Sequence, residues 1–377
     1  MTAVNVKGNM INGMRDLLKR LIKANVVKNV ILPVKMPTTG SFAHVLTNDN
    51  RLVDKSWPIS PIITVQGARI ISKLTKKEAP KDPIAAIFKP CELRAMRELI
   101  KLKQANAKNL LTISFDCPGT LELQSYVKGD HKAADEHFNS WICDFTLSQT
   151  RPICQICQNF TGELADIEVG CVGAPECYYL LGRTQEGERA LKALGYEGTT
   201  SLDARNKLLN TMTESRKKER TSYFQTFSDF IKRPNGLLSI LHECTNCHNC
   251  MRVCPICFCR GCFFDSDALK LDSGNYLMRA KRKGGLRLLP DTLMFHLGRM
   301  NHMSVSCVSC GACEDACPNN VPISRIFAMV GDRTQAIFQY VPGRHLEEPI
   351  PFADYKEEEL TQYERPYTEK HQSRLPT

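Results

Sequence analysis

Cysteines are the residues of this sequence with the clearest capacity for chemistry, and there are 18 of them. Eight form two runs with the spacing C-x-x-C-x-x-C-x-x-x-C, each followed by proline. In bacterial two-cluster ferredoxins, three thiolates of each run bind one 4Fe–4S cluster and the fourth binds the other. The spacing therefore predicts two ligand sets: set I (Cys244, Cys247, Cys250 and Cys317) and set II (Cys307, Cys310, Cys313 and Cys254). Zinc is the alternative, but zinc sites usually use two C-x-x-C pairs.

The two runs are further apart than a minimal ferredoxin requires, since the second begins 63 residues after the first. The segment between them contains a predicted helix, Asp291–Met303, and a basic stretch, Arg279–Arg287. We expect an inserted hairpin or a loop that contacts a partner. Two such clusters transfer single electrons, so the rest of the chain must supply one end of the electron path.

Two more cysteines follow predicted strands. Cys91 comes after the apolar segment Ile84–Phe88, and Cys117 comes after Leu110–Phe115, with a predicted helix at Glu92–Leu102 between them. This strand–helix–strand pattern predicts parallel strands. Because neighbouring parallel strands end at the same edge of a sheet, where α/β proteins bind ligands, we expect the two thiols to lie close together.

A C-x-x-C pair, Cys154 and Cys157, completes a third group of four thiols. We name set III as Cys91, Cys117, Cys154 and Cys157. Alone, a C-x-x-C pair could be redox-active or bind zinc. Beside two predicted iron–sulfur clusters, a third 4Fe–4S cluster is favoured.

The segment after this pair, ELADIEVGCVGAPE at 163–176, has features of a cofactor site. Gly170 and Gly173 would let the backbone approach a ligand, and Asp166 could bind a ribose or a ring donor. A glycine-containing turn between a strand and a helix is the structural alternative.

Several segments resemble the beta subunits of the coenzyme F-420-reducing hydrogenase and formate dehydrogenase family. They are FKPCELRAM, SFDCPGT, CQICQNFTGELADIEVGCVGAPE and the C-terminal SCVSCGACEDACP and YVPGRHLEEPIP. The resemblance covers most of residues 10–350 and is strongest to formate dehydrogenase beta subunits. It implies an α/β domain that holds FAD and one 4Fe–4S cluster on set III, followed by a ferredoxin domain.

The resemblance also suggests flavin contacts. Lys89, in the FKPCELRAM segment, is one candidate. Family members commonly have Ser-Gly-Gly before the first helix, whereas this sequence has NMINGMRDLL there. Thr38, Thr39 and Gly40 are therefore the candidates for a turn that faces the phosphates.

Six cysteines remain outside the three sets. Cys143, Cys171 and Cys177 lie in the first half of the chain, and Cys171 and Cys177 stand where family members usually have Ser or Gly. Cys257, Cys259 and Cys262 lie in VCPICFCRGCFFD. This second trio is either buried or incidental, or it forms a fourth metal site with a thiol from elsewhere.

The fold class predicted for the chain is an α/β flavin-binding domain with a mostly parallel sheet, joined to a bacterial two-cluster 4Fe–4S ferredoxin domain. The predicted divisions are residues 1–185 for the first domain, 186–235 for a helical linker continuing it, 236–345 for the ferredoxin domain with its insertion, and 346–377 for a tail that is extended or contacts a partner.

In the first domain, helical spacing at Met14–Ile22 precedes a strand at Val30–Val34. Phe42–Thr47 and Arg51–Asp54 are predicted to form a hairpin.

Composition is that of a globular protein: 377 residues, 42% hydrophobic and 24% charged. No apolar run reaches the ~18–20 residues of a membrane span, and no secretory signal is visible, so we expect a cytoplasmic protein whose thiols bind metal rather than form disulfides.

The net charge of +10 permits acidic partners. The basic runs, such as Arg216–Arg220, lack interleaved aromatic residues, which argues against nucleic-acid binding and favours a solvated helix end or an interdomain loop.

The hypothesis from sequence is an electron-transfer subunit of a multi-subunit anaerobic oxidoreductase, with FAD and three 4Fe–4S clusters, or four if the second trio binds metal. Electrons would pass between FAD and a partner subunit, such as a formate dehydrogenase, a hydrogenase or a heterodisulfide-reductase-like protein. A deazaflavin or a nicotinamide is the candidate coenzyme. The alternative is an iron–sulfur relay without a flavin or substrate site of its own. No acid–base residues are assigned a catalytic role.

Overall fold

The computed structural model describes residues 2–37, 41–140, 142–145, 148–174, 176–259, 261–266, 272–284 and 292–353. In these ranges the strands are β1 (Ala3–Lys7), β2 (Asn29–Lys35), β3 (Phe42–Thr47), β4 (Ile84–Phe88), β5 (Leu110–Phe115), β6 (Ile167–Gly170) and β7 (Cys177–Gly182). They form one sheet in the order β1-β7-β6-β5-β4-β2-β3.

The helices surround this sheet and build the C-terminal half. Those of the N-terminal half are α1 (Met10–Lys23), α2 (Asn50–Asp54), α3 (Gly67–Thr75), α4 (Pro90–Lys101), α5 (Leu123–Lys128), α6 (His131–Ser140), α7 (Pro152–Gln155) and α8 (Gln185–Ala193). They are followed by α9 (Asp203–Ile231), α10 (Gly236–Leu241), α11 (Asn249–Val253), α12 (Ser273–Lys283), α13 (Thr292–Met303), α14 (Ala312–Asp315) and α15 (Ile323–Ile337), with a 3₁₀ turn at Phe263–Asp265.

The sheet is mixed rather than mostly parallel. The central strands β2, β4, β5 and β6 pair in parallel, whereas β1, β3 and β7 add antiparallel edges. All five residues of β4 are buried, as expected for a parallel strand covered on both faces. The predicted strands at Ile84–Phe88 and Leu110–Phe115 are confirmed at those bounds, and the predicted helix between them is confirmed as α4.

The predicted hairpin between Phe42–Thr47 and Arg51–Asp54 is wrong. Strand β3 pairs antiparallel with β2, and Arg51–Asp54 belongs to helix α2. The side chain of Asp49 accepts a hydrogen bond from the Arg51 N–H at 2.9 Å and caps this helix. An Asp at this position favours a helix start because it satisfies a backbone donor that the helix leaves free.

The two faces of the sheet are covered differently. Helix α1 packs on one face, where Met14, Leu17 and Leu18 are buried in the first hydrophobic core. On the other face, Phe88 of β4 shares a core with Phe295 of α13 and with other residues of the cysteine-rich half. The sheet and the cysteine-rich half therefore pack against each other through one continuous core.

The chain returns to the sheet after its last described helix. The hydroxyl of Tyr340 donates to Glu98 of α4 at 2.5 Å, and the Gly343 N–H donates to the same carboxylate at 2.8 Å. Ile350 is buried, so the start of the predicted tail packs against the protein, while residues 354–377 lie outside the described ranges. None of the described helices combines the length and the apolar character needed to cross a membrane.

Candidate iron–sulfur and thiol sites

The structure brings the four thiols of set I together. Cys250 interacts electrostatically with the other three members of the set. Backbone donors point at the sulfurs, since the Asn246 N–H lies 3.4 Å from Cys244 Sγ and the Val321 N–H lies 3.4 Å from Cys317 Sγ. Hydrogen bonds to cluster sulfurs are among the protein's means of setting a cluster's reduction potential.

Set II also forms one group, although one member comes from the other run. Cys254 interacts electrostatically with Cys307, Cys310 and Cys313. Each run thus sends its last cysteine to the partner set, which is the exchange typical of two-cluster ferredoxins.

Set III lies at the C-terminal edge of the parallel strands. Cys91 follows β4 and stands in the first turn of α4, while Cys117 follows the neighbouring strand β5. Cys91 interacts electrostatically with Cys117, and Cys117 with both members of the C-x-x-C pair. The hydroxyl of Thr120 lies 3.6 Å from Cys154 Sγ and adds a polar contact at one sulfur.

Pairwise electrostatic interactions connect the three sets in series, and we call this series the III–II–I line. Cys91 of set III interacts with Cys310 of set II, and Cys313 of set II interacts with Cys250 of set I. The order is therefore III–II–I, with set II in the middle. At the far end, Cys247 of set I is exposed.

A buried arginine lies at each junction of this line. Arg151 interacts with thiols of sets III and II and donates to Asp315 at 2.9 Å. Arg299 of α13 interacts with thiols of sets II and I and donates to Cys250 Sγ at 3.1 Å. Sequence reasoning missed both residues, although Arg151 stands three positions before the C-x-x-C pair.

Helix α9 adds two more inward-facing arginines, which corrects the interpretation of Arg216–Arg220 as solvated. Arg216 donates to the Cys157 carbonyl at 3.0 Å, and its guanidinium lies 4.0 Å from the centre of the Phe160 ring. Arg220 binds the Asp332 carboxylate through two hydrogen bonds of 2.6 and 2.7 Å. The run was misread because its two buried members are one helical turn apart, on a single face of α9.

The thiols fit iron–sulfur clusters electrostatically. Burial raises the pKa of Cys117, Cys250 and Cys307 to about 11. Cys254 is the exception, because a hydrogen bond with Cys257 lowers its pKa to about 6. A buried thiol becomes a thiolate when a cation compensates its charge, and the iron of a bound cluster would supply that compensation. Among the described residues, no three His, Cys, Asp or Glu side chains converge on a single metal ion. A 4Fe–4S cluster does not require such a group, because each of its thiolates binds a different iron atom.

Replacing Arg299 with leucine is expected to lower the reduction potentials of the clusters on sets I and II. The guanidinium favours the reduced, more negative form of a cluster, and a hydrogen bond to a charged group contributes about 1.5–3 kcal/mol. Because the bond is present in both redox states, this contribution sets an upper limit of about 60–130 mV on the shift, at about 59 mV per tenfold change for one electron. Redox titration followed by electron paramagnetic resonance measures it.

Arg282→Leu is the matched control, because Arg282 lies exposed on α12 and the substitution removes the same charge. We expect its potentials to equal those of the unmodified protein. Equal shifts in the two variants would show that net charge, rather than the contact with Cys250, sets the potentials.

The predicted flavin glycines contact protein groups. A Cβ atom at Gly170 would lie 2.6 Å from Nη1 of Arg205, and one at Gly173 would lie 3.3 Å from the Arg205 Cα. Both glycines thus make room for the start of α9. Gly170 ends β6 and Gly173 lies in the turn to the antiparallel strand β7, which corrects the alternative of a strand-to-helix turn.

Asp166 and Lys89, the other described flavin candidates, also form hydrogen bonds with protein groups. Asp166 precedes β6, at the edge of the sheet opposite set III, and its carboxylate accepts hydrogen bonds from Thr112 and Thr184, all of 2.7 Å. Lys89 is buried and donates to the Ser60 carbonyl at 2.7 Å. Thr38, Thr39 and Gly40 lie outside the described residues.

The second leftover trio lines a cavity of about 870 Å³ beside sets I and II. Cys257 Sγ lies 3.6 Å from Met303 Sδ, and Cys262 Sγ lies 3.8 Å from Met251 Sδ, while Cys259 is exposed. Each of the two inner thiols therefore contacts a thioether.

Two family models match the chain. Residues 240–321 match the 4Fe-4S dicluster domain, and residues 126–208 match the C terminus of the coenzyme F420 hydrogenase/dehydrogenase beta subunit. The chain therefore contains one segment similar to 4Fe-4S dicluster domains and one similar to the C terminus of these beta subunits.

Its curated relatives include the F420-dependent formate dehydrogenase subunit beta of Methanocaldococcus jannaschii, which is 25% identical over 342 residues, or 79% of this chain and 82% of that protein. The F420-dependent formate dehydrogenase 1 subunit beta of Methanococcus maripaludis is 26% identical over 391 residues, or 92% and 94%. These homologues are subunits of oxidoreductases, so the resemblance inferred from the motifs is confirmed. A chain of the F420-reducing [NiFe] hydrogenase complex from Methanosarcina barkeri matches with a TM-score of 0.41 and 16% identity, over 59% of this chain and 91% of that one.

Proposed function

We propose that the chain is the electron-transfer beta subunit of a formate dehydrogenase or hydrogenase complex and conducts single electrons through three 4Fe–4S clusters. The observation that carries the proposal is the III–II–I line of thiol sets. A linear series of one-electron carriers suits a protein that connects two redox partners. The curated relatives, both beta subunits of F420-dependent formate dehydrogenases, support this role.

The residues of the chain bind the clusters, exclude water and set their potentials. Thiols of sets I and II lie against the shared hydrophobic core, and Cys117 and Cys154 of set III lie against two other hydrophobic clusters. This packing keeps the path between the sets dry. Arg151 and Arg299, buried at the two junctions, place positive charge where an added electron raises the negative charge of each cluster. Such charges and hydrogen bonds raise a cluster's reduction potential.

We assign the two ends of the line to different partners. Set III lies at the edge of the sheet where α/β proteins bind cofactors, so it is the end near a coenzyme. Set I, whose Cys247 is exposed, is the end near another subunit. The names of the relatives make F420 the first coenzyme to test.

FAD is the second element of the proposal, since flavins accept electrons in pairs and release them singly. The described candidate contacts do not fit it: Gly170 and Gly173 accommodate Arg205, Asp166 is bound by threonines, and Lys89 by Ser60. A relay without flavin is therefore the second candidate function, and it is favoured by these contacts.

Anaerobic purification with iron and flavin quantitation tests the proposal. We expect about 12 iron atoms per chain, from three clusters of four, and co-purification of a catalytic oxidoreductase subunit. About eight iron atoms would remove set III from the path. FAD at one per chain supports the flavin-containing form, and its absence with the iron intact supports the relay.

A further inference from the structure

Three cysteines that belong to no cluster set lie around one cavity. Cys143, Cys171 and Cys177 line a space of about 680 Å³ between the start of α1 and the turn that joins β6 to β7. Cys143 is exposed, Cys171 is buried, and none of the three forms a disulfide. The side chains of Cys143 and Cys171 are hydrogen-bonded to each other, so their sulfur atoms are in contact.

The backbone on both sides of this contact is fixed. The N–H groups of Cys171 and Val172 donate to the Asp116 carboxylate at 2.9 and 3.0 Å, and Asp116 is itself held by Arg205. Next to Cys143, Ile142 is buried in the first core. Cys171 is therefore held by backbone hydrogen bonds, and Cys143 directly follows a residue anchored in the core.

The two thiols have different environments. The hydrogen bond from Cys171 lowers the pKa of Cys143, whereas the same bond and burial raise the pKa of Cys171. An exposed thiol with a lowered pKa beside a buried one is the arrangement of an attacking thiol and a resolving thiol.

We propose that Cys143 and Cys171 form a redox-active dithiol that exchanges with small disulfides entering this cavity. Nothing in the III–II–I line uses these residues, so the site is an additional one.

The disulfide substrate accepts the two electrons that the protein thiols lose in the exchange. The Cys143 thiolate attacks one sulfur of the substrate disulfide, forming a mixed disulfide and releasing the first thiolate. Cys171 then loses its proton and attacks the Cys143 sulfur, forming the Cys143–Cys171 disulfide and releasing the second thiolate. Two protein thiols are oxidised, one substrate disulfide is reduced to two thiols, and excess thiol reverses the reaction.

The charge of the cavity selects the substrate. Asp144 and Glu176 are exposed and line it, and the described lining residues include no lysine or arginine. A cationic disulfide such as cystamine should therefore react faster than the anionic glutathione disulfide.

The test uses the full protein, purified anaerobically and freed of added thiol, then treated with cystamine and analysed by peptide mass spectrometry without reduction. We expect a Cys143–Cys171 cross-link in the unmodified protein and in Cys177→Ser. In Cys171→Ser we expect a stable cystamine adduct on Cys143, and in Cys143→Ser no modification of Cys171. A lasting adduct on Cys143 in the unmodified protein, or two free thiols, would overturn the proposal.

Iron quantitation on the same samples separates this proposal from the proposed function. Protein with full iron but without the cross-link contradicts only the dithiol. A cross-link in protein with few iron atoms supports the dithiol and contradicts the cluster assignment. A cross-link that forms equally fast with glutathione disulfide would overturn the charge selection.

Discussion

Replacing Cys154 with alanine is expected to remove one cluster and leave two. Iron should fall from about 12 to about eight atoms per chain, because set III loses one of its four thiolates while sets I and II keep theirs. Electron transfer from the coenzyme end to the subunit end should fall to background, because set III is the first member of the III–II–I line. Iron analysis, electron paramagnetic resonance and coenzyme-dependent dye reduction measure these effects.

The control is Cys177→Ala, which makes the same chemical change at a thiol outside the three sets. It should keep all the iron and the full rate of dye reduction. Unchanged iron in Cys154→Ala would show that set III holds no cluster. Loss of all the iron would show instead that the three sets assemble as one unit. The electrostatic interaction of Cys91 with Cys310, which links sets III and II, makes this a specific alternative.

Spacing was sufficient to predict which cysteines group in sets I and II, but not in set III. Runs of ligands close in sequence constrain the loop that carries them, so sets I and II follow from the two runs alone. Set III required a second argument, that Cys91 and Cys117 follow parallel neighbouring strands, and the pairing of β4 with β5 provides it. Both arguments use local sequence or simple topology.

The arginines could not be predicted in this way. Arg299 lies on an inserted helix, and only the packing of α13 against the core brings it to Cys250. The close approach of Arg205 to the glycines of ELADIEVGCVGAPE could not be predicted for a related reason, because a glycine accommodates any close neighbour. Long-range packing decides such contacts, and the sequence pattern does not record it.

Replacing Arg205 with methionine is expected to destabilise the fold strongly. Arg205 is buried and donates to the Asp116 carboxylate at 2.6 and 2.7 Å and to Glu168 at 2.7 Å. Removing one partner of a buried ion pair leaves an uncompensated charge and costs about 3–5 kcal/mol. The free energy of unfolding in urea, followed by circular dichroism, measures the loss.

Lys207→Met is the matched control, since Lys207 is exposed on the same helix. Its effect should stay within about 0.5 kcal/mol. Equal unfolding midpoints for the two variants would show that the Arg205 cluster does not anchor α9 to the sheet.

The pH dependence of the Arg205→Met variant follows from Glu168. Burial, and next the charge of Asp116, raise the pKa of Glu168 in the folded protein, whereas the Arg183 and Arg205 charges oppose this. A raised folded pKa means that proton uptake stabilises the fold fully below the unfolded pKa, and that this gain is lost as the pH rises through the folded pKa. Removing Arg205 raises the folded pKa further. The variant should therefore be least destabilised in mildly acidic buffer and most destabilised at neutral pH, whereas a pH-independent loss would assign the effect to packing rather than to the buried charges.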